Sequence, residues 1–118
     1  MRDFKTLTVW RKAHLLTLRV YQITSSFPPE EKYGLTSQLR RSSASVPTNI
    51  AEGCGKESER DFARFLSISS GSASEAEYQF MLAKDLGYIQ ENVYIELDRD
   101  VNEIKKMLRS FIGKLDSK

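Results

Sequence analysis

The chain is poor in the residues that form metal sites and disulfides. Its 118 residues include one cysteine, Cys54, and one histidine, His14, which excludes an internal disulfide and a cysteine-rich zinc cluster. A transition-metal site would consist mostly of carboxylates, and no Glu-x-x-His pair of the di-iron bundle type is present. We therefore expect no metal and no cofactor, and we interpret Cys54 as incidental.

The chain also lacks long hydrophobic runs. No apolar stretch approaches the roughly 20 residues needed to cross a bilayer, and the first residues lack the apolar segment of a signal peptide. We therefore expect a cytoplasmic protein without membrane contact. With 40% hydrophobic and 29% charged residues, the composition suits one compact domain covering residues 1–118.

The net charge of +2 is unevenly distributed. Through Phe27 the chain has a single acid, Asp3, and five cations: Arg2, Lys5, Arg11, Lys12 and Arg19. These five are the candidate nucleic-acid-binding residues, because repeating such a basic face in an oligomer would make a continuous positive surface. A solvated helix surface explains the same residues equally well. A second candidate patch, diluted by nearby acids, comprises Lys105, Lys106 and Arg109.

Apolar residues recur at alternating spacings of three and four along four segments, which predicts four amphipathic helices. Short connections between them predict an all-α fold, an antiparallel up-down-up-down four-helix bundle with almost no sheet. Ser58, with Asp61 three residues later, resembles the start of a capped helix. The helices are expected at about Thr6–Ser25, from Leu35 to near Gly53, from Ser58 to Gly87, and from about Tyr94 to near the C-terminus.

The second segment is unusually polar for a core helix. About 130° around the helix from its apolar stripe lies a polar stripe. That stripe comprises Gln38, Arg41, Ser45, Asn49 and Glu52. Pro47 deletes a backbone donor within the segment and is expected to kink it, and Asn49 is expected to reach the carbonyls that Pro47 frees.

Several short motifs follow one another along the chain. They are Val9-Trp10 with Ala13-His14, Phe27-Pro28 with Glu31, residues 33–41 (YGLTSQLRR), Ser45-Val46-Pro47 with Asn49-Ile50-Ala51-Glu52-Gly53, Gly71-Ser72 with Glu75, and Leu86-Gly87-Tyr88. In this combination the chain resembles the four-helix-bundle proteins associated with intervening sequences in bacterial 23S ribosomal RNA genes. The resemblance implies a small bacterial protein with an up-and-down helical fold.

The resemblance also implies an assembly and partners. Related proteins include the accessory variability protein of diversity-generating retroelements, a barrel of five identical subunits that binds nucleic acid and a reverse transcriptase. A homo-oligomer, with the pentamer first, is therefore the implied assembly. RNA, DNA and a nucleic-acid enzyme are the implied partners.

We interpret the polar motif residues as structural. Arg40 or Arg41 is suited to phosphate, but pairing with Glu75 across antiparallel helices, together with a Glu52–Arg64 pair, is favoured because charges near a core are normally partnered. Trp10 is interpreted as an interhelical or intersubunit anchor. The structural set is Gln38, Arg40, Arg41, Ser45, Pro47, Asn49, Glu52, Gly53, Gly71, Ser72 and Glu75.

Three functional hypotheses follow. The first is a non-enzymatic homo-oligomeric bundle that associates with RNA or DNA, and the alternative is a protein-interaction scaffold without nucleic-acid binding. The third, hydrolysis by Ser45 or Ser72 with Glu52 or His14, requires such a pair at hydrogen-bonding distance. We expect no catalytic residues, because no strand-turn-helix serine motif is present.

Overall fold

The computed structural model describes residues 2–117, and four helices account for most of them. They are α1 (Thr8–Thr24), α2 (Leu35–Cys54), α3 (Glu59–Asp85) and α4 (Glu91–Asp116), with short 3-10 turns at Phe4–Thr6 and Pro29–Glu31. No strand occurs in the described part of the chain. The all-α prediction is confirmed, and the predicted helices match the observed ones with small differences at their ends.

The helices pack in chain order around a square. α1 packs on α2, α2 on α3 and α3 on α4, and α4 returns to α1. Within residues 2–117 the diagonal pairs, α1 with α3 and α2 with α4, bring no Cα atoms within 8 Å of each other. The result is the predicted up-down-up-down bundle, about 46 Å long and 23 by 20 Å across. No described helix has the length and apolarity needed to span a membrane.

The apolar stripes of the four helices meet along the bundle axis. Phe62 and Phe80 of α3 are fully buried, and the Phe62 and Phe111 rings pack at 85° to each other with centroids 5.3 Å apart. Burial of each such side chain contributes about 1.5–3 kcal/mol. The buried apolar residues of α4 are Leu97, Val101, Ile104, Leu108 and Leu115.

Two helix ends follow the predicted chemistry. The Ser58 hydroxyl accepts a hydrogen bond from the Asp61 backbone N–H at 3.0 Å, which satisfies one of the free donors at the start of α3. After α3, Gly87 adopts a φ of +79°, a left-handed conformation that glycine reaches without a Cβ clash. The Tyr88 N–H then donates back to the Ala83 carbonyl at 2.9 Å, which closes the end of α3.

Helix α2 continues through Pro47 because a neighbouring helix supplies the missing donor. Proline has no N–H, so the Ser43 carbonyl lacks its helical partner. The Thr17 hydroxyl of α1 donates to that carbonyl at 3.1 Å. Asn49 instead donates to the Ser45 carbonyl at 2.8 Å, so the prediction that Asn49 serves the freed carbonyl is wrong.

Further polar bonds join α2 to α3. The Ser69 hydroxyl donates to the Val46 carbonyl at 2.8 Å, and the Ser42 hydroxyl donates to Gln79 Oε1 at 2.6 Å. Gly53 lies so close to α3 that an added Cβ would stand 2.9 Å from the Phe65 Cβ. Buried hydroxyls and a glycine therefore set the approach and register of these two helices.

Candidate interaction surface

Three of the motif residues, Glu31, Gly34 and Tyr88, lie together at one end of the bundle. Glu31 Oε1 accepts from the Leu35 backbone N–H at 3.0 Å at the start of α2, and Glu31 Oε2 accepts from the Tyr88 hydroxyl at 2.8 Å. These bonds lower the pKa of Glu31, and the bond to Glu31 raises the pKa of Tyr88. At Gly34 an added Cβ would lie 2.6 Å from Glu31 Oε1, so this carboxylate position favours glycine there.

The predicted charge pairs across α2 and α3 do not form. Arg40 faces α1 instead, where its Nε donates to the Thr24 hydroxyl at 2.8 Å and its guanidinium lies 4.7 Å from the Tyr21 ring centroid. Arg64 is 3.9 Å from Asp61 of its own helix rather than near Glu52.

The remaining members of those predicted pairs point away from the α2–α3 contact. Arg41, Glu52 and Glu75 are exposed, and none of their side chains has a hydrogen bond or ion pair among the described residues. The side of α2 that meets α3 is occupied instead by Ser42, Val46 and Gly53. These three charges are therefore not structural in the sense predicted.

The other members of the structural set divide between packing and surface. Pro47 and Gly53 are buried, Ser45 and Ser72 are partly exposed, and Gln38 is exposed. Gly71 is also exposed, and a Cβ added there would meet nothing within 4 Å. The small residues of α3 that face the bundle interior are instead Ser69, Ala73 and Ala76, all of which are buried.

Carboxylates balance four of the five predicted nucleic-acid-binding cations. Arg2 pairs with Glu59 at 3.0 Å and Lys5 with Asp3 at 3.7 Å. Lys12 pairs with Glu103 at 2.7 Å, which lowers the pKa of Glu103, and Arg19 pairs with Glu96 at 2.5 Å. Within residues 2–117, Arg11 alone among the five has no carboxylate partner. Nucleic-acid binding by this set stays a prediction.

The C-terminal half of α4 holds cations that are not balanced in this way. Lys105 pairs with Glu77 at 2.7 Å, which lowers the pKa of Glu77. Lys106, Arg109 and Lys114 are exposed, with no carboxylate partner in the described part of the chain. Lys106 and Lys114 also border a groove of about 460 Å³ between the start of α1 and the end of α4.

The pair needed for the hydrolytic hypothesis is not formed. His14 stacks on Trp10 with ring centroids 5.1 Å apart, and among residues 2–117 neither Ser45 nor Ser72 bonds to His14 or Glu52. No group of metal-binding side chains occurs in the described residues. Cys54 is buried, and this burial raises the pKa of its thiol.

Three large apolar side chains of α1 are exposed on the outside of the bundle. Leu15, Leu18 and Tyr21 expose 64%, 49% and 46% of their surface, and we call them the α1 row. They recur every three residues and therefore share one side of the helix. Sequence reasoning missed the two leucines. Both lie outside the apolar stripe of α1 that is buried, and this position could have predicted their exposure.

A second exposed apolar group lies on α3 and α4. Tyr78 and Met81 of α3 expose 57% and 39% of their surface, and Ile95 of α4 exposes 56%. We call these three residues the α3–α4 patch. Because α1 and α3 occupy diagonal corners of the bundle, the α1 row and the α3–α4 patch lie on different sides of the molecule.

Comparison with known proteins places the chain in a family. The family model of the 23S rRNA-intervening sequence proteins matches residues 5–110. The chain belongs to this family. The matched residues cover α1 to α3 and most of α4, and they include Glu31 and Tyr88.

A solved structure agrees with membership of the 23S rRNA-intervening sequence family. The chain is similar to a protein of unknown function from the S23 ribosomal protein family of Bacteroides thetaiotaomicron, with 29% identity and a TM-score of 0.80. The alignment covers 89% of this chain and 98% of the other. No functionally curated protein matches the chain significantly. The relationship to the accessory variability protein stays a prediction.

Proposed function

We propose that the protein is a cytoplasmic, non-enzymatic building block that assembles with copies of itself through the α1 row. The observation that carries this proposal is the exposure of Leu15, Leu18 and Tyr21 on one side of one helix. Contiguous exposed apolar surface on a small protein marks an interaction site more often than a solvated face.

The energy available from the α1 row indicates how large the contact must be. Since each side chain is about half exposed, burying the remainder contributes on the order of 1 kcal/mol per residue. Association costs about 4–15 kcal/mol in lost freedom of motion, and stable interfaces bury about 800 Å² per partner. The α1 row is therefore the centre of a larger contact that includes neighbouring surface. The resemblance to a five-subunit barrel makes a pentamer the first assembly to test.

Light scattering coupled to size-exclusion chromatography tests self-assembly. The natural chain is expected to have a mass of at least twice the 13.5 kDa of one chain. The row variant, Leu15→Glu with Leu18→Glu, is expected to be monomeric, because it places carboxylates at the centre of the contact. A matched control, Gln38→Glu with Ser67→Glu, adds the same charge at exposed positions elsewhere and should assemble normally. A monomeric natural chain at every concentration would remove the proposal.

Association with RNA or DNA is a second candidate function. Its support is the cluster of exposed, unbalanced cations on α4, Lys106, Arg109 and Lys114, rather than the balanced cations of α1. Repetition of this cluster in an oligomer would multiply weak phosphate contacts. A nucleic-acid enzyme as a further partner rests on the resemblance alone.

Filter binding with single-stranded RNA and duplex DNA at low and physiological salt tests this second function. Changing Lys106, Arg109 and Lys114 to glutamine should weaken binding and reduce the salt slope by roughly two to three, because each cation contributes one phosphate contact. Changing Arg2, Lys12 and Arg19 to glutamine should have a smaller effect. Absence of any salt-sensitive binding would leave the protein-interaction scaffold, and protein partners would then survive nuclease treatment.

A further inference from the structure

We propose that assembly is head-to-tail: the α1 row of one copy docks on the α3–α4 patch of the next copy. This inference rests on the proposed self-assembly and specifies its geometry. Two different surfaces of each subunit meet, rather than one surface meeting its own copy. Such a heterologous contact is the kind that generates closed rings or open filaments.

The members of the α3–α4 patch lie at similar heights on two neighbouring helices. The Lys84 ammonium lies 4.5 Å from the Tyr94 ring centroid, and Lys105 pairs with Glu77 at 2.7 Å. These two contacts fix the antiparallel register of α3 and α4. At about 1.5 Å rise per residue, Met81 and Ile95 are then within about one helical turn of each other along the axis. The patch therefore offers a compact apolar surface comparable to the α1 row.

The α1 row is bordered by positive charge. Arg11 lies one turn before Leu15 on the same side of α1 and has no carboxylate partner within residues 2–117. The Arg40 guanidinium covers the Tyr21 ring and bonds only to the Thr24 hydroxyl and the Tyr21 carbonyl, so no described carboxylate balances its charge either. The nearby acids Glu96 and Glu103 are already paired.

The α3–α4 patch is bordered by negative charge. Glu91 and Asp98 flank Ile95 on α4, and Glu75 precedes Tyr78 by one turn on α3. None of these three carboxylates has a cationic partner in the described part of the chain, and Asp98 accepts only from Asn102. The cations nearest in sequence, Lys84 and Arg99, are paired with Asp85 and Asp100.

The α1 row and the α3–α4 patch are similar in exposed apolar surface and opposite in surrounding charge. Each has three large, exposed apolar side chains, and the charges around them have opposite sign. Contact of the α1 row with a second α1 row would bring Arg11 and Arg40 of both copies together, and like charges disfavour that arrangement. Contact with the α3–α4 patch instead places these arginines near carboxylates. Charge complementarity therefore selects a second copy of this chain, in head-to-tail order, as the occupant.

A mixing experiment with two assembly-deficient variants tests the order of contact. The row variant is Leu15→Glu with Leu18→Glu, and the patch variant is Met81→Lys with Ile95→Lys. All four positions are exposed, and glutamate and lysine both favour helices, so the bundle should fold. Circular dichroism and the thermal midpoint verify folding. Gln38→Glu with Ser67→Glu matches the charge change of the row variant, and Gln38→Lys with Ser67→Lys matches that of the patch variant.

Each variant alone is expected to be monomeric, whereas an equimolar mixture is expected to form a dimer of about twice 13.5 kDa. The row variant retains a patch, the patch variant retains a row, and one contact can form between them. A patch variant that assembles like the natural chain would overturn the head-to-tail geometry while leaving self-assembly intact. So would a mixture that stays monomeric. A monomeric natural chain would instead overturn self-assembly itself.

Discussion

Replacing Thr17 by valine tests whether buried hydroxyls stabilise the bundle by serving the backbone of α2. The Thr17 hydroxyl donates to the Ser43 carbonyl at 3.1 Å, and Pro47 has removed the N–H that would otherwise do so. The same hydroxyl also donates to the Ala13 carbonyl at 2.9 Å, but that carbonyl lies in a regular part of α1 and has a backbone donor. Thr17→Val therefore leaves one buried acceptor, the Ser43 carbonyl, without a partner.

The expected cost is the balance of two effects. An unsatisfied buried polar group costs about 1–3 kcal/mol. The methyl group that replaces the hydroxyl has nearly the same shape and contributes up to about 0.8 kcal/mol through burial. Thr17→Val should therefore lower the free energy of unfolding by about 1–2 kcal/mol. Thr48→Val is the matched control: Thr48 is exposed on α2, so its change should stay within about 0.5 kcal/mol.

A double-mutant cycle with Pro47→Ala separates this mechanism from ordinary repacking. Alanine at position 47 restores an N–H that can donate to the Ser43 carbonyl, so Thr17 is no longer required there. In the Pro47→Ala background, Thr17→Val should cost only a few tenths of a kcal/mol, which gives a coupling energy of about 1 kcal/mol or more. Urea unfolding followed by circular dichroism, at one fixed protein concentration, measures all four chains. Equal losses in both backgrounds would refute the reasoning.

Three further predictions concern packing, capping and pH. Gly53→Ala should destabilise the bundle by about 1–2 kcal/mol, since the gain in helix propensity is smaller than the cost of moving Phe65. Gly71→Ala has no such neighbour and should stabilise the bundle by about 0.5–1 kcal/mol. Urea unfolding compares the two variants, and a stabilised Gly53→Ala protein would contradict the clash with Phe65. Ser58→Ala should cost about 1 kcal/mol in the same assay, and no change would show that the cap is dispensable. The pKa of Glu31 is lowered in the fold, so its contribution is complete above the ordinary value of 4.5 and is lost as pH falls through the lowered one. The stability difference from Glu31→Gln, measured by thermal unfolding from neutral to acidic pH, should therefore shrink, and a constant difference would exclude the carboxylate cap.

The fold was predictable because burial repeats along every helix. A stripe such as Leu97, Val101, Ile104 and Leu108 has the helical period throughout, so small errors at the ends do not alter the assignment. The start at Ser58 and the end at Gly87 were also predictable, because a hydroxyl cap and a left-handed glycine are local chemistry.

The site was less predictable because the partner of a charged side chain depends on the direction in which that residue projects from the helix axis. Neighbouring residues differ by about 100°, so Arg40 reaches α1 while Arg41 points to solvent. Sequence reasoning treated the two arginines as interchangeable and paired one or the other with Glu75 of α3. The donor to the Ser43 carbonyl was equally hidden, because Thr17 is 26 residues away in the chain and only packing brings it close.

The two kinds of polar contact between helices have different consequences for recognition. Hydroxyl bonds such as Ser69 to the Val46 carbonyl are buried, and their neutral groups fix register without the desolvation cost of charge. The pairs Lys12–Glu103 and Arg19–Glu96 join α1 to α4 at the surface, where ion pairs typically add less than about 1 kcal/mol. Their larger effect is to balance charge on the side of α1 that faces α4. The features of α1 that remain available to a partner are then its apolar row and the unbalanced charge of Arg11 beside it, which is why we assign recognition to that side of the helix.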